Sequence, residues 1–148
     1  VVENIKQQRQ SQELDLTDER MTRFWIPVDQ VMDIIIEALT CLDGGEIFVP
    51  KMSGLKVIDV FKTLAPKAKV KVTGIRPGEK LHEILITEYE APRTKDLGRM
   101  YVILPEFTQW GQKETYAKKP PFPAGLTYAS NHPYFLREKK DARSILAL

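Results

Sequence analysis

Apolar residues recur at three- and four-residue steps through Val28, Val31, Met32, Ile35, Ile36 and Leu39, a period that predicts an amphipathic helix over residues 27–42 with one buried face. Gly44-Gly45 ends it. A second helix is predicted over residues 56–65, where Val57, Val60, Phe61 and Leu64 share a face, with Ser53 as its cap and Pro66 as its stop. Strand-like alternation marks Leu14-Asp15-Leu16 and residues 69–73, the latter as an edge or half-buried strand, and short apolar runs mark residues 46–49 and 101–104. Residues 18–23 read as a loop and residues 2–13 as a short polar helix. Leu81, Ile84 and Leu85 suggest one short helix, and residues 136–148 a last one. Between them, residues 105–133 are rich in Pro, Gly and aromatic residues and predict an irregular arm, with Lys118-Lys119-Pro120-Pro121-Phe122-Pro123 as an extended connector. No internal repeat is present.

Composition narrows the class without naming a chemistry. With 148 residues, 43% hydrophobic and 28% charged, the chain is long enough to bury a core. Its 22 basic and 20 acidic residues are interspersed and leave a net charge of +2, which argues against a nucleic-acid partner. Cys41 is the one cysteine, so no internal disulfide forms, and its place in an apolar helical run suits a small core residue in a reducing compartment. No stretch reaches the roughly 18 apolar residues of a spanning helix, so no membrane partner and a cytoplasmic location are expected. The chain opens on Val1-Val2 with no initiator Met, and we read it as a piece of a longer protein.

The run Arg76-Pro77-Gly78-Glu79 carries the most chemistry. A guanidinium suits bidentate grip on phosphate oxygens, and a carboxylate three residues on accepts from sugar hydroxyls. Pro77 and Gly78 between them favour a tight turn that relates the two side chains. Taken alone, such a run is as readily a solvated turn. Arg20 and Arg23, with Thr17 and Thr22 nearby, form a second cationic group able to grip a diphosphate; the competing reading pairs those arginines with Asp18 and Glu19 and makes Phe24 and Trp25 core anchors. His82 with Glu79 spells Glu-x-x-His, yet di-iron bundles need two such pairs and further glutamates. His132 lies in a Pro-flanked loop. No metal is expected.

Three ordered runs, residues 16–26 (Leu-Thr-Asp-Glu-Arg-Met-Thr-Arg-Phe-Trp-Ile), 44–51 (Gly-Gly-Glu-Ile-Phe-Val-Pro-Lys) and 74–83 (Gly-Ile-Arg-Pro-Gly-Glu-Lys-Leu-His-Glu), resemble the carboxyl-terminal half of the inverting UDP-N-acetylglucosamine 4,6-dehydratases of the extended short-chain dehydrogenase superfamily. The likeness covers residues 1 to about 90, and Tyr128-Ala129-Ser130-Asn131-His132 resembles the tail motif. The resemblance implies an α/β fold: the substrate-binding lobe of an extended Rossmann-type enzyme, short strands with flanking helices and an irregular C-terminal arm. Residues 1–97 would form the UDP-sugar-binding lobe and 98–148 the arm and last helix. Arg23 and Arg76 would hold phosphate, Glu79 the ribose, and Thr17 a further substrate contact, with Val1 and Val2 along the UDP-sugar.

For the intact enzyme the resemblance implies NADP, a homo-oligomer, a UDP-sugar substrate and an inverted 4-keto-6-deoxy product destined for bacterial surface or flagellar glycans. This chain lacks both a glycine-rich dinucleotide turn and a Tyr-x-x-x-Lys pair, so no catalytic or cofactor-binding residue is assigned to it. A related C4 epimerase or retaining dehydratase uses a similar arginine and acid, and a non-catalytic protein-interaction module is the alternative from another class. Without a partner lobe, apolar surface would stand exposed and the chain would be marginally stable or associate.

Overall fold

The structure, a computed structural model, describes residues 13–107 and 114–146. The strands are β1 (Glu13–Leu16), β2 (Thr22–Trp25), β3 (Ile47–Pro50), β4 (Ser53–Lys56), β5 (Lys69–Val72), β6 (Ile84–Ile86), β7 (Thr94–Asp96), β8 (Met100–Ile103) and β9 (Tyr128–Ala129). The helices are α1 (Val28–Cys41), α2 (Val57–Leu64), α3 (Glu114–Ala117) and α4 (Ala142–Ile145). The fold is α/β, with short strands and flanking helices. The chain divides into two compact units built from alternating segments: Val1–Trp25, Ser53–Glu83 and Ala129–Leu148 form one, Ile26–Met52 and Ile84–Tyr128 the other. The predicted polar helix over residues 2–13 falls almost wholly outside the described residues; Glu13, its last position, opens β1.

In the first unit β1 and β5 pair in parallel, Glu13 opposite Lys69 and Asp15 opposite Lys71, so opposite charges face each other across the ladder. The alternate residues Leu14 and Leu16 are buried, with β4's Leu55, against Val57, Val60, Phe61 and Leu64 of α2. Each such side chain contributes about 1.5–3 kcal/mol through burial. α2 thus turns inward the face its period predicted. Ser53 does not cap it; that residue lies in β4, which pairs antiparallel with β2, and the helix follows the strand directly. Arg23 likewise sits in β2, where a loop was expected.

The predicted last helix is much shorter. The Leu136 and Arg137 backbone is held beside β4, with the Arg137 N–H donating to Gly54 O at 2.8 Å, which keeps the chain extended there. Helical geometry begins only at Lys139–Asp141, a 3₁₀ turn that opens with a reciprocal Glu138–Asp141 capping box.

In the second unit β8 lies between β3 and β7, antiparallel to both. All four β8 side chains are buried, and Tyr101 meets the rings of Phe122 and Tyr128 edge-on. The connector around Phe122 is more regular than its composition suggested. Asp96 N–H donates to Pro120 O and Phe122 N–H to Thr94 O, so it lines β7 as a further strand would. Ile84–Ile86 is a strand paired with β9 where a helix was expected; three residues are too few for a helical nucleus, and two of them are β-branched.

α1 has the predicted limits to within a residue, but not the predicted burial. Ile34 alone is buried, while Val28, Met32, Ile35, Ile36 and Leu39 are exposed, from 46% for Ile35 to 82% for Val28.

Candidate functional site

The residues singled out by sequence gather in the first unit at the ends of β1, β2 and β5. β5 delivers the chain to Arg76 after Thr73 N–H has donated to Leu16 O at 2.9 Å. Arg76 to Glu79 then forms a tight turn: Glu79 N–H donates to Arg76 O at 3.0 Å, Pro77 stands second, and Gly78 has φ +80°. Those features define a type II turn, whose third position needs the positive φ that glycine tolerates. The Glu79 carboxylate closes it further, Oε2 accepting from Arg76 N–H at 3.3 Å and Oε1 from the Thr17 hydroxyl at 3.1 Å. Thr17, Arg76 and Glu79 are therefore brought together.

The three arginines differ in what occupies them. Arg20 is held by Asp18 in a two-point pair, Nε to Oδ1 at 3.0 Å and Nη2 to Oδ2 at 2.7 Å, and hydrogen bonds from the Arg20 side chain and backbone hold the Asp18 carboxyl down at about 2. Arg23 points its guanidinium into the segment after the turn. Its Nη1 donates to Thr22 O at 2.7 Å and Leu81 O at 3.2 Å, its Nη2 to Lys80 O at 2.7 Å, and its Nε lies 3.4 Å from Glu83 Oε1. Arg76 is exposed, and among the described residues no carboxylate pairs with its guanidinium. Val1 and Val2 lie outside the described residues.

A hydrogen-bond chain unremarked in the sequence fastens the same segment. Thr22 and Ser130 are buried, and Glu83 N–H donates to Ser130 Oγ at 2.9 Å. Ser130 Oγ lies 2.6 Å from Thr22 Oγ1, which lies 2.9 Å from His82 Nδ1. Burial first, then the cations of Arg23 and Arg20, lower the His82 pKa. Which groups donate along this chain follows from the His82 tautomer, and the Ser130 hydroxyl also has Thr22 O within reach as an acceptor at 3.2 Å. Ser130 was legible only as part of the tail motif, since its partners are far away in sequence. A separate cavity of about 460 Å³, lined by Lys62, Thr63, Pro66, Lys139, Lys140 and Arg143, shares no residue with this site.

Among the described residues, no cluster of three or more His, Cys, Asp or Glu side chains could hold a metal ion, and no helix is long and apolar enough to cross a membrane. The site consists of a preformed turn presenting one uncommitted guanidinium beside a carboxylate, on an α/β scaffold. A guanidinium so presented suits anionic oxygens, and the carboxylate suits hydroxyl donors.

Comparison with known proteins gives the family. A model of the polysaccharide biosynthesis protein family matches residues 1–105, and the chain belongs to that family. It is 35% identical over 137 residues to a protein named UDP-N-acetylglucosamine 4,6-dehydratase (inverting) from Campylobacter jejuni subsp. jejuni serotype O:23/36, a match covering 88% of this chain and 41% of that one. It is 32% identical over 103 residues to a UDP-glucose 4-epimerase of Rickettsia bellii, covering 67% of this chain and 30% of that one. The X-ray structure of Pen from Bacillus thuringiensis matches 97% of this chain and 44% of its own with a TM-score of 0.79 at 27% identity. The chain thus spans about two-fifths of the length of the curated dehydratase.

Proposed function

We propose that this chain is the UDP-sugar-binding part of a nucleotide-sugar 4,6-dehydratase that acts on UDP-N-acetylglucosamine with inversion at C5, a cytoplasmic, NADP-dependent lyase supplying sugars for bacterial surface or flagellar glycans. One observation carries the proposal: among the described residues no carboxylate pairs with the Arg76 guanidinium, and the Glu79 carboxylate is held in place by its own turn. Arg76 would take the diphosphate oxygens. Glu79, an acceptor only, would take ribose hydroxyls through lone pairs left after Thr17 and Arg76 N–H, with the Thr17 oxygen alongside. Because the turn is already formed, little ordering cost attends binding.

The described residues do not fit a dinucleotide. Both longer helices begin without a glycine at positive φ, α1 after Pro27 and α2 directly from Lys56, whereas a pyrophosphate cradle needs such a turn at a helix start. What this chain contributes is grip and orientation: it neutralises the diphosphate and fixes where the hexose stands. A UDP-sugar 4-epimerase is the second reading, favoured by the Rickettsia match. Product mass separates the two in the parent protein, since a dehydratase product is lighter by one water and an epimer is not.

Calorimetric titration of the chain with UDP and UDP-N-acetylglucosamine tests the site. Wild type should bind both. Arg76→Ala should weaken binding about tenfold or more, the worth of a charged hydrogen-bonded contact. Silence of wild type at millimolar UDP, or an Arg76→Ala protein that binds as well, overturns the proposal.

A further inference from the structure

We propose that the cavity of about 460 Å³ at the carboxyl-terminal end of α2 is a second anion site, which takes a small soluble ion or ester carrying two or more linked phosphate groups. Lys62 lines it from α2, and Lys139, Lys140 and Arg143 line it from the last 3₁₀ turn and α4. The acids nearest in sequence, Asp59, Glu138 and Asp141, are not among the lining residues. Of the four cations only Lys140 has an ion-pair partner among the described residues, Glu138 at 3.0 Å. Both members of that pair are about three-quarters exposed, so water competes for them and the pair holds the lysine weakly.

Packing brings these cations together. Ala142, fully buried, lies in one apolar cluster with Leu64 and Ala65 at the end of α2, and Ile145 and Leu146 pack against the same cluster. The Glu138–Asp141 capping box fixes the turn that carries Lys139 and Lys140. A helix C-terminus favours cations, which accounts for Lys62 in the last turn of α2. It does not account for three more brought there by another segment, none of which donates a hydrogen bond to an α2 carbonyl among the described residues. Like charges so gathered repel, and a concave surface lined by one sign of charge concentrates its potential. An anion between them relieves that repulsion.

The volume falls in the range of about 300–1,000 Å³ typical of small-ligand sites. Arg143 offers a planar fork for two phosphate oxygens, and the lysines offer point charges for others; a single carboxylate would leave most of these groups unmet. A membrane surface suits the cavity less, because no large apolar side chain lines it to enter lipid. Nucleic acid suits it less too, because no aromatic ring lines it to stack on bases.

The test is a titration with inorganic pyrophosphate at physiological salt, which screens diffuse attraction, using the Arg76→Ala chain so that the turn adds no grip. Pyrophosphate should bind and should move the backbone amide resonances of residues 62–63 and 139–143. Lys139→Gln with Arg143→Gln should weaken binding about tenfold or more, at an unchanged melting midpoint because both side chains are exposed. Lys118→Gln with Lys119→Gln, which removes the same charge from another exposed place, should leave binding as it was. Equal losses in the two double variants, shifts confined to other residues, or no binding of pyrophosphate overturn the proposal. So does a chain that ignores pyrophosphate yet is captured by phosphatidylglycerol vesicles, since the cations would then serve a lipid surface. Should the cavity variant fail to fold, the resonance map decides by itself. Failure of UDP to bind at the turn leaves this result standing, because the readout is taken without Arg76.

Discussion

His82 ties the acid–base behaviour of this protein to the geometry of its turn. Its pKa is lowered from 6.5 in the fold, so below 6.5 the unfolded chain takes up the proton more readily than the folded one. The stability that His82 contributes is therefore fully present above 6.5 and is lost as pH falls from there toward the lower folded value. Once the ring is protonated, Nδ1 can only donate to the Thr22 hydroxyl. The melting midpoint should fall as pH drops below 6.5, and His82→Asn, which keeps an acceptor but does not titrate, should flatten that dependence; an equally steep profile in the variant would refute the assignment. Gly54 is a second sensitive residue. A Cβ there would stand 2.2 Å from Ser130 O, a backbone atom whose own residue is fixed by Ser130 N–H donating to Glu83 O. Gly54→Ala should cost about 2–3 kcal/mol in denaturant unfolding, the scale of overpacking against atoms that cannot yield. Arg76 and Glu79 were readable because their turn is contiguous and its proline and glycine prescribe it. The employment of Arg23 was not, because the carbonyls it holds on Lys80 and Leu81 belong to residues 57 and 58 positions away.

α1 shows what periodicity reports at the scale of an element. Its limits followed from an uninterrupted apolar rhythm closed by Gly44-Gly45, but rhythm does not say which face a neighbour covers. Val28, Met32, Ile35, Leu39 and Leu42 fall at alternating four- and three-residue steps, all at least 46% exposed, whereas Ile34, the buried residue, lies on another side. A seam of that spacing is apolar surface in contact with water. The chain should therefore self-associate or bind a dye that reports exposed apolar surface. Met32→Lys with Leu39→Lys should reduce both in sedimentation and fluorescence, with a melting midpoint changed little, since neither side chain is buried. Unchanged association in the double variant would show that the seam is not responsible. β6 and the shortened last helix mark the opposite limit: there, pairing with distant strands outweighs local preference.

At the scale of the molecule, the division of labour is the main expectation. Supplied with UDP-N-acetylglucosamine and NADP, the chain should release no 4-keto sugar nucleotide by mass spectrometry if, as proposed, its part is to bind and orient, since the described residues form no dinucleotide cradle; turnover above a heat-treated control would refute that division. The makeup of the two units was beyond the reach of sequence reading, since each is assembled by pairings such as Gly54 with Leu136 that no local pattern announces. The buried hydroxyl pair of Thr22 and Ser130 bridges 108 positions. Its consequence falls on the order of events during synthesis. A chain emerging amino end first makes Arg76 and Glu79 about fifty residues before Ser130, so the segment from Lys80 to Glu83 lacks one of its anchors until Ser130 has left the ribosome. Closing so long a loop is slow, and the turn is thus expected to reach its final setting only near the end of folding.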